Sequence, residues 1–322
     1  MKAIRVHQHG GPEVLSYEDA ADPIPEAGQA VVGLEAIGLN YIDTYHREGL
    51  YPIDLPCTPG VEAAGTVTAI GAGVTQVKVG DRVGYAGALG AYAQASVVAA
   101  ERLVPLPDDV TAEAAAAVLL QGMTAHYLAT GSYPLKSGDT ALIHAAAGGV
   151  GLLLVQMAKM RGARVLATVS TDEKEQLARG AGADEVIRYA DTDFELEVQR
   201  LTDNEGVEVV FDSVGKTTFD KGLNLLKPRG TMVLFGQSSG PVAAVDPQVL
   251  SQKGSIFLTR PTLVHYTLTR QDQLHRAGEV LDWVGTGKLD VRVGARFELA
   301  RSADAHRALE GRKTTGKVLL QP

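Results

Sequence analysis

Between residues 139 and 260 the chain alternates six short apolar runs with five helical segments. The runs are "TALIHA" (140–145), "ARVLATVS" (163–170), "EVIRY" (185–189), "VEVVFDS" (207–213), "GTMVLFG" (230–236) and "GSIFLTR" (254–260). Helical stretches lie between them at 149–161, 172–180, 193–202, 217–226 and 247–253. Strands joined through helices in this way form a parallel sheet that must be covered on both faces. Six of them predict an α/β, doubly wound dinucleotide-binding (Rossmann) domain.

The first run leads into "HAAAGGVG" (144–151), whose Ala146-x-Gly148-x-x-Gly151 spacing is a variant of G-x-G-x-x-G. Such a pattern is weak in isolation. Here it follows a strand and opens the helix "VGLLLVQMAKM", the context that gives it meaning. Gly148 and Gly149 allow close backbone approach to a pyrophosphate. The unpaired amides of the helix start, through Val150, then face its negative charge, and Gly151 lets the helix pack on the strand. The bland alternative is a tight glycine turn in an unrelated α/β domain.

The end of the second strand selects the cofactor. An NAD site places Asp or Glu there to hold the ribose hydroxyls, whereas this chain reads Val169-Ser170-Thr171, followed by Asp172 and Glu173. Those acids are either ribose ligands or first-turn helix residues. The second fits better, because Ser170 and Glu173 match an S-x-x-E capping box. Lys174 is then available for a 2′-phosphate, with Tyr189 at the end of the third strand nearby. The expected cofactor is NADPH.

The first 105 residues are β-rich. "AVVGLEAIG" (30–38), "AAGTVTAIG" (63–71), "DRVGYA" (81–86) and "YAQASVVA" (92–99) are strands separated by turn residues, as in a small irregular barrel or sandwich. A helical texture follows over 108–130, with Thr111 as N-cap and Glu113 in the first turn. Beyond Arg260 a helix at 269–288 precedes strand and helix pieces. The domains expected are 1–122, completed by 262–322, and 123–261. A single cysteine, Cys57, excludes an intrachain disulfide and any multi-thiolate metal site. The net charge of −8 disfavours a dedicated nucleic-acid or membrane-surface role. No apolar run is long enough to span a bilayer, and a soluble cytoplasmic protein is expected.

With these residues in view, the chain resembles the zinc-independent quinone oxidoreductases, the ζ-crystallin-like group of the medium-chain dehydrogenase/reductase superfamily. The resemblance runs from end to end: "HGGPEVL" (9–15), "GLNYIDTYHREGLYP" (38–52), "PGVEAAGTV" (59–67), "KVGDRVGYA" (78–86), "LLQGMTAHYL" (119–128), "HAAAGGVG", "VFDSVG" (210–215), "FGQSSG" (235–240) and "LTRP" (258–261). It implies a GroES-like β domain beside the Rossmann domain, NADPH, and reduction of quinones or related electron-poor carbonyl compounds. Where zinc-dependent cousins carry a Cys ligand this chain has Asn40. Their G-H-E-x-x-G reads Gly60-Val61-Glu62-Ala63-Ala64-Gly65, and "LLQGMT" supplies no third ligand. A catalytic zinc needs three protein donors, so no metal is expected. A quinone is already electrophilic and accepts hydride from nicotinamide C4 without a Lewis acid.

The resemblance places Asn40, Asp43, Tyr45 and Tyr51 around the substrate. Asn40 and Tyr45 would hydrogen-bond a quinone oxygen and Tyr51 would stack on a ring; a polar loop held by Asn and Asp turns is the alternative. Arg260, ending the last strand, would steady developing negative charge, or else form a surface ion pair. Ser213, Val214 and Gly215 follow the fourth strand, Gly236 and Gln237 the fifth, and both loops would face the nicotinamide. Thr124, at the start of the helix leading into the second domain, either touches the cofactor or bonds its own helix. His144 reads as a core histidine.

The expected assembly is a homodimer formed by edge pairing of two "GSIFLTR" strands. The rival enzyme class is a zinc-free reductase of enones, alkenals or enoyl thioesters, for which a well-placed Tyr would be essential. A crystallin-like structural or RNA-binding role is the non-catalytic alternative; the intact glycine loop, Lys174 and the net charge disfavour RNA binding as the main role.

Overall fold

The N-terminal residues form a hairpin absent from the sequence reading: β1 (Lys2–Arg5) pairs antiparallel with β2 (Ser16–Asp19). The computed structural model describes residues 1–322. The chain divides into two units, Met1–Met123 with Thr267–Pro322, and Thr124–Tyr266. In the first unit β3 (Gln29–Leu39) is followed by α1 (Tyr41–Glu48), β4 (Glu62–Ile70), β5 (Arg82–Ala86), β6 (Ala95–Ala99) and β7 (Val104–Pro105). Helix α2 (Ala112–Tyr127) carries the chain onward, its first turn capped by Thr111 Oγ1, which accepts the Ala114 N–H at 3.1 Å.

The second unit contains β8 (Thr140–Ile143), α3 (Gly149–Met160), β9 (Arg164–Val169), α4 (Asp172–Gly180), β10 (Glu185–Arg188) and α5 (Phe194–Leu201). It continues with β11 (Val207–Asp212), α6 (Phe219–Asn224), β12 (Leu226–Leu234), α7 (Gln248–Gln252), β13 (Phe257–Thr259) and α8 (Leu263–Tyr266). All six strands are parallel, in the order β10-β9-β8-β11-β12-β13. The order reverses between β8 and β11, the switch point at which doubly wound sheets bind ligands. Leu142, Leu166, Ile187, Val210, Phe219 and Met232 belong to its core.

The chain returns to the first unit through α9 (Arg270–Gly285), β14 (Val293–Glu298), α10 (Ser302–Glu310) and β15 (Lys317–Gln321). The mixed sheet runs β14-β15-β3-β4-β5-β7, with β6 also on β3. Strand β3 changes partner midway: residues 29–33 pair with β6, and 37–39 pair with β15. Register shifts against β4 accompany the change and bend the strand. Ile4, Val32, Ile37, Tyr85, Tyr92 and Leu320 pack in the resulting core.

Several boundaries differ from the sequence reading for identifiable reasons. Strand β13 begins only at Phe257, because Gly254 and Ser255 take left-handed φ values of 99° and 56° that end any extended run. Strand β6 begins at Ala95 rather than Tyr92. Helix α4 is capped by Thr171, whose Oγ1 accepts the Lys174 N–H at 3.3 Å, not by Ser170. The segment after Asn40 is a helix, not a polar loop: Asn40 is the N-cap of α1, and the Asp43 carboxylate at N3 accepts its backbone N–H at 2.9 Å.

A chain of buried hydrogen bonds fixes α1 against α10. Arg47, fully buried in α1, donates from Nη1 to Nδ1 of His306 at 2.9 Å and grips Glu310 through Nη2 at 2.7 Å. Its second carboxylate partner is Glu48. With Nδ1 accepting, the His306 proton sits on Nε2 and is donated to the Tyr92 oxygen at 3.0 Å. Tyr92 in turn donates to Asp43 Oδ2 at 3.0 Å. Burial, then the adjacent Arg47 charge, lowers the His306 pKa from its ordinary 6.5 to about 3. Burial pushes the Asp43 carboxyl up to about 7.

The unfolded chain therefore binds a proton at His306 below pH 6.5 that the folded chain does not, and stability is lost as pH falls from 6.5 toward 3. Between pH 7 and pH 5 this histidine should remove about 2 kcal/mol. The variant His306→Gln should lose that share of the pH dependence in urea unfolding at the two values. Identical pH slopes for variant and parent would show that His306 is not held neutral.

Candidate active site

The glycine loop at the end of β8 is built from backbone alone. His144 N–H bonds to Phe211 O at 3.1 Å, Ala145 adopts φ 51°, and Gly148 N–H closes the turn on Ala145 O at 2.9 Å. Helix α3 starts at Gly149 with Gly148 as N-cap, and the Leu152 N–H is taken by Gly148 O. The N–H groups of Gly149, Val150 and Gly151 precede the first intrahelical bond and point out of the helix end. A Cβ on Gly151 would lie 2.4 Å from Ala145 O and 2.8 Å from Ala146 Cα, so only glycine lets the helix meet the loop. At Gly148 a Cβ would approach only Ala145 O, at 3.2 Å, which leaves that face open. The cradle fits a pyrophosphate bound by amides and helix dipole. His144 is buried beside it, its Nδ1 2.9 Å from Thr168 Oγ1.

At the end of β9 the shift of the cap to Thr171 frees Ser170, whose Oγ lies 3.4 Å from Lys174 Nζ. Tyr189 adjoins them: its backbone N–H bonds to Val169 O at 3.2 Å, and its ring is partly exposed. Ser170, Lys174 and Tyr189 thus gather at one end of the sheet.

Beyond β11, a residue not singled out in the sequence holds the next loop. Asp212, fully buried, accepts the N–H of Val214 at 2.7 Å and of Gly215 at 3.0 Å, and the Thr218 hydroxyl at 2.8 Å. The carbonyls of Ser213 and Val214 accept the N–H groups of Ser238 and Ser239. The loops at 213–215 and 236–240 are therefore zipped into one ledge that includes Gly236 and Gln237. Because Asp212 occupies the two amides, only side chains, carbonyls and the remaining N–H groups of this ledge can meet a ligand. Thr124 lies in the last turn of α2, not at its start, and is buried. Arg260 follows β13, exposed, with Nη1 3.3 Å from Pro261 O.

In the first unit Asn40 is buried, and its side chain faces a polar cluster. Its Nδ2 donates to Gly38 O at 3.1 Å and to Glu62 Oε2 at 2.7 Å. Its Oδ1 accepts from Gln121 Nε2 at 3.3 Å and from Lys317 Nζ at 2.9 Å. Lys317 also binds Glu62 Oε2 at 2.5 Å, and Glu62 Oε1 accepts the Leu120 N–H at 2.6 Å. A Cβ on Gly38 would strike Ala116 O and Glu62 Oε2, both at 2.4 Å, so glycine is needed for the cluster to close. Asn40 therefore has its donors and acceptor engaged, contrary to the expected hydrogen bond to a substrate oxygen. Register places Lys317: β15 pairs with residues 37–39 of β3 immediately before Asn40.

This cluster also decides the question of zinc. The positions expected to carry zinc ligands hold Asn40 and the buried, apolar Val61, and the adjoining Glu62 is already bound to an ammonium group. A divalent cation there would meet a buried positive charge and spent donors. No group of three or more His, Cys, Asp or Glu side chains is arranged to hold a metal. The residues do not fit zinc.

Beside the cluster stands an aromatic wall. Tyr45 is 5.5 Å from Tyr41 and 5.2 Å from Tyr51 between ring centroids, and His46 meets Tyr51 edge-on at 6.2 Å. Tyr41, four residues before Tyr45 on α1, escaped the sequence reading because α1 was not recognised as a helix. Burial pushes its phenol pKa up.

Comparison with known proteins agrees with this architecture. Residues 26–108 match the family model for the alcohol dehydrogenase GroES-like domain, and residues 149–283 match that for zinc-binding dehydrogenase. A quinone oxidoreductase of Pseudomonas aeruginosa is 47% identical over 323 residues, covering 100% of this chain and 99% of that protein. A 2-haloacrylate reductase of Burkholderia sp. is 40% identical, covering 98% of each. The structure of Escherichia coli quinone oxidoreductase complexed with NADPH superposes with a TM-score of 0.98 at 42% identity, covering 100% of both chains. With a glycine-loop Rossmann unit, a GroES-like unit and this full-length identity, the chain belongs to the quinone oxidoreductase family of the medium-chain dehydrogenases/reductases.

Proposed function

We propose that the protein is an oxidoreductase that reduces quinones with NADPH. One observation carries this reading: the polar centre at Asn40 and Glu62 is closed around the Lys317 ammonium. A substrate that needs a metal to activate its carbonyl or stabilise an alkoxide finds no such help there, whereas a quinone is electrophilic on its own. The names of the relatives, and the NADPH complex of the Escherichia coli protein, support the same reading.

When bound, NADPH supplies the hydride; the chain's residues bind, orient and exclude water. The amides at Gly149–Gly151, with Ala146 and Gly148 shaping the turn, hold the pyrophosphate. Ser170, Lys174 and Tyr189 take the 2′-phosphate end. The ledge of Ser213, Val214, Gly215, Gly236 and Gln237, with Thr124, holds the nicotinamide half. In the first unit Tyr45 and Tyr51 offer ring faces and hydroxyls to a flat substrate; in the second, Arg260 offers positive charge beyond the end of β13. Asn40 acts indirectly, anchoring the start of α1 and thereby Tyr45.

The assembly we propose is a cytoplasmic homodimer formed through β13. That strand closes one edge of the six-stranded sheet, and Phe257 on it is 60% exposed. No helix is long and apolar enough to cross a membrane.

The 2-haloacrylate reductase relative favours a second reading, reduction of an electron-poor carbon–carbon double bond. That reaction adds a proton to carbon as well as a hydride and so calls for a tyrosine acid, which separates the two.

Purified protein should oxidise NADPH at least about tenfold more efficiently than NADH with a soluble para-quinone, read as kcat/KM. Equal use of NADH would sink the cofactor assignment. Tyr51→Ala should raise the KM for quinone about tenfold, from lost stacking area, while Tyr45→Phe and Tyr51→Phe keep kcat within about threefold. Collapse of kcat in either Phe variant, with turnover of a haloacrylate, would move the protein to the second reading. In light scattering after size exclusion the parent should run as a dimer and Phe257→Asp as a monomer. A monomeric parent would remove the edge-pairing proposal.

A further inference from the structure

The surroundings of the 2′-phosphate seat pose an electrostatic problem. Asp172, Glu173 and Glu175 lie in the first turn of α4, where they complement the helix dipole, and Asp191 lies just beyond β10. A 2′-phosphate carries close to two negative charges at neutral pH. Four carboxylates beside Ser170 and Lys174 would repel it.

Arg188 offsets part of that repulsion. It ends β10 opposite Val169, one residue before Ser170 in the neighbouring strand. Its guanidinium bonds Asp172 through Nη1, and its Nε lies 2.9 Å from Asp191 Oδ2 and 3.5 Å from Glu175 Oε2. Arg179 takes the other oxygen of Glu175 at 2.9 Å. The Arg188 side chain is 38% exposed, so these pairs add little to stability. Their effect lies in where they hold negative charge. Each carboxylate drawn onto Arg188 is oriented toward a cation, and Lys174 Nζ lies beside Ser170 Oγ.

We infer that Arg188 determines specificity for the 2′-phosphate by drawing Asp172, Glu175 and Asp191 onto its own guanidinium. The inference rests on the NADPH reading and names the residue that makes an acidic helix start compatible with it. Arg188 acts through those carboxylates and is not a ligand of the phosphate.

The test is calorimetric binding of 2′,5′-ADP and 5′-AMP to the full-length protein, two probes that differ only in the 2′-phosphate. The parent should prefer 2′,5′-ADP; absence of that preference would overturn the NADPH reading itself, before any variant is made. Arg188→Gln should weaken 2′,5′-ADP about tenfold and leave 5′-AMP within about twofold, as expected for one unit of charge acting on a phosphate at a partly exposed site. Arg188→Lys should keep most of the preference. The triple variant Arg188→Gln with Asp172→Asn and Asp191→Asn should recover it, because two of the three charges to be masked are gone and Arg179 still holds Glu175. Equal losses for both probes, no loss in Arg188→Gln, or no recovery in the triple variant would each overturn the inference, the last by making Arg188 a direct ligand.

Discussion

The buried contact between Lys317 and Glu62 is the constraint on which the first unit depends. Lys317 opens the C-terminal strand, Glu62 opens β4, and Asn40 joins them at the end of β3 and the start of α1. Residues separated by more than 250 positions meet at one point. A buried ion pair is poor evidence of net stability, since desolvation offsets much of the attraction. Its consequence is register. If β15 shifted by one residue along β3, the Lys317 ammonium would lose its partners and the Glu62 carboxylate its counter-charge, a penalty of about 3–5 kcal/mol when one member of a buried pair is lost.

That register carries through to the aromatic wall. Asn40 caps α1, Asp43 ties the same helix start to Tyr92, and Arg47 fastens its last turn to His306 and Glu310. Tyr41 and Tyr45 sit on a helix held at both ends by buried polar contacts. The same cluster buries the Lys317 ammonium against Asn40 and Glu62. One set of residues therefore both joins distant strands and anchors the helix that carries Tyr41 and Tyr45.

In the second unit the constraints are of a different kind. The glycine loop depends on close backbone approach at Gly151, and the ledge of loops 213–215 and 236–240 depends on Asp212 consuming two amides. Neither uses long-range ion pairing. At the start of α4 charge dominates instead, where Arg188 pairs with Asp172, Glu175 and Asp191.

The alternation of six apolar runs with helices fixes the doubly wound unit, because a parallel strand buried on both faces leaves a continuous hydrophobic signature. The strand, glycine loop and helix succession and the cap at Thr111 were likewise legible, being set by local spacing. What escaped was non-local or decided by one residue of phase. Thr171 displaced Ser170 as the cap of α4, and α1 was hidden by a polar start whose cap only burial reveals. The expected role of Asn40 failed because its partners, Gln121 and Lys317, are brought by distant segments. A sequence pattern reports the face a residue presents along its own element. Which donor meets which acceptor across 250 residues is settled by sheet register, and that exists only in the folded chain.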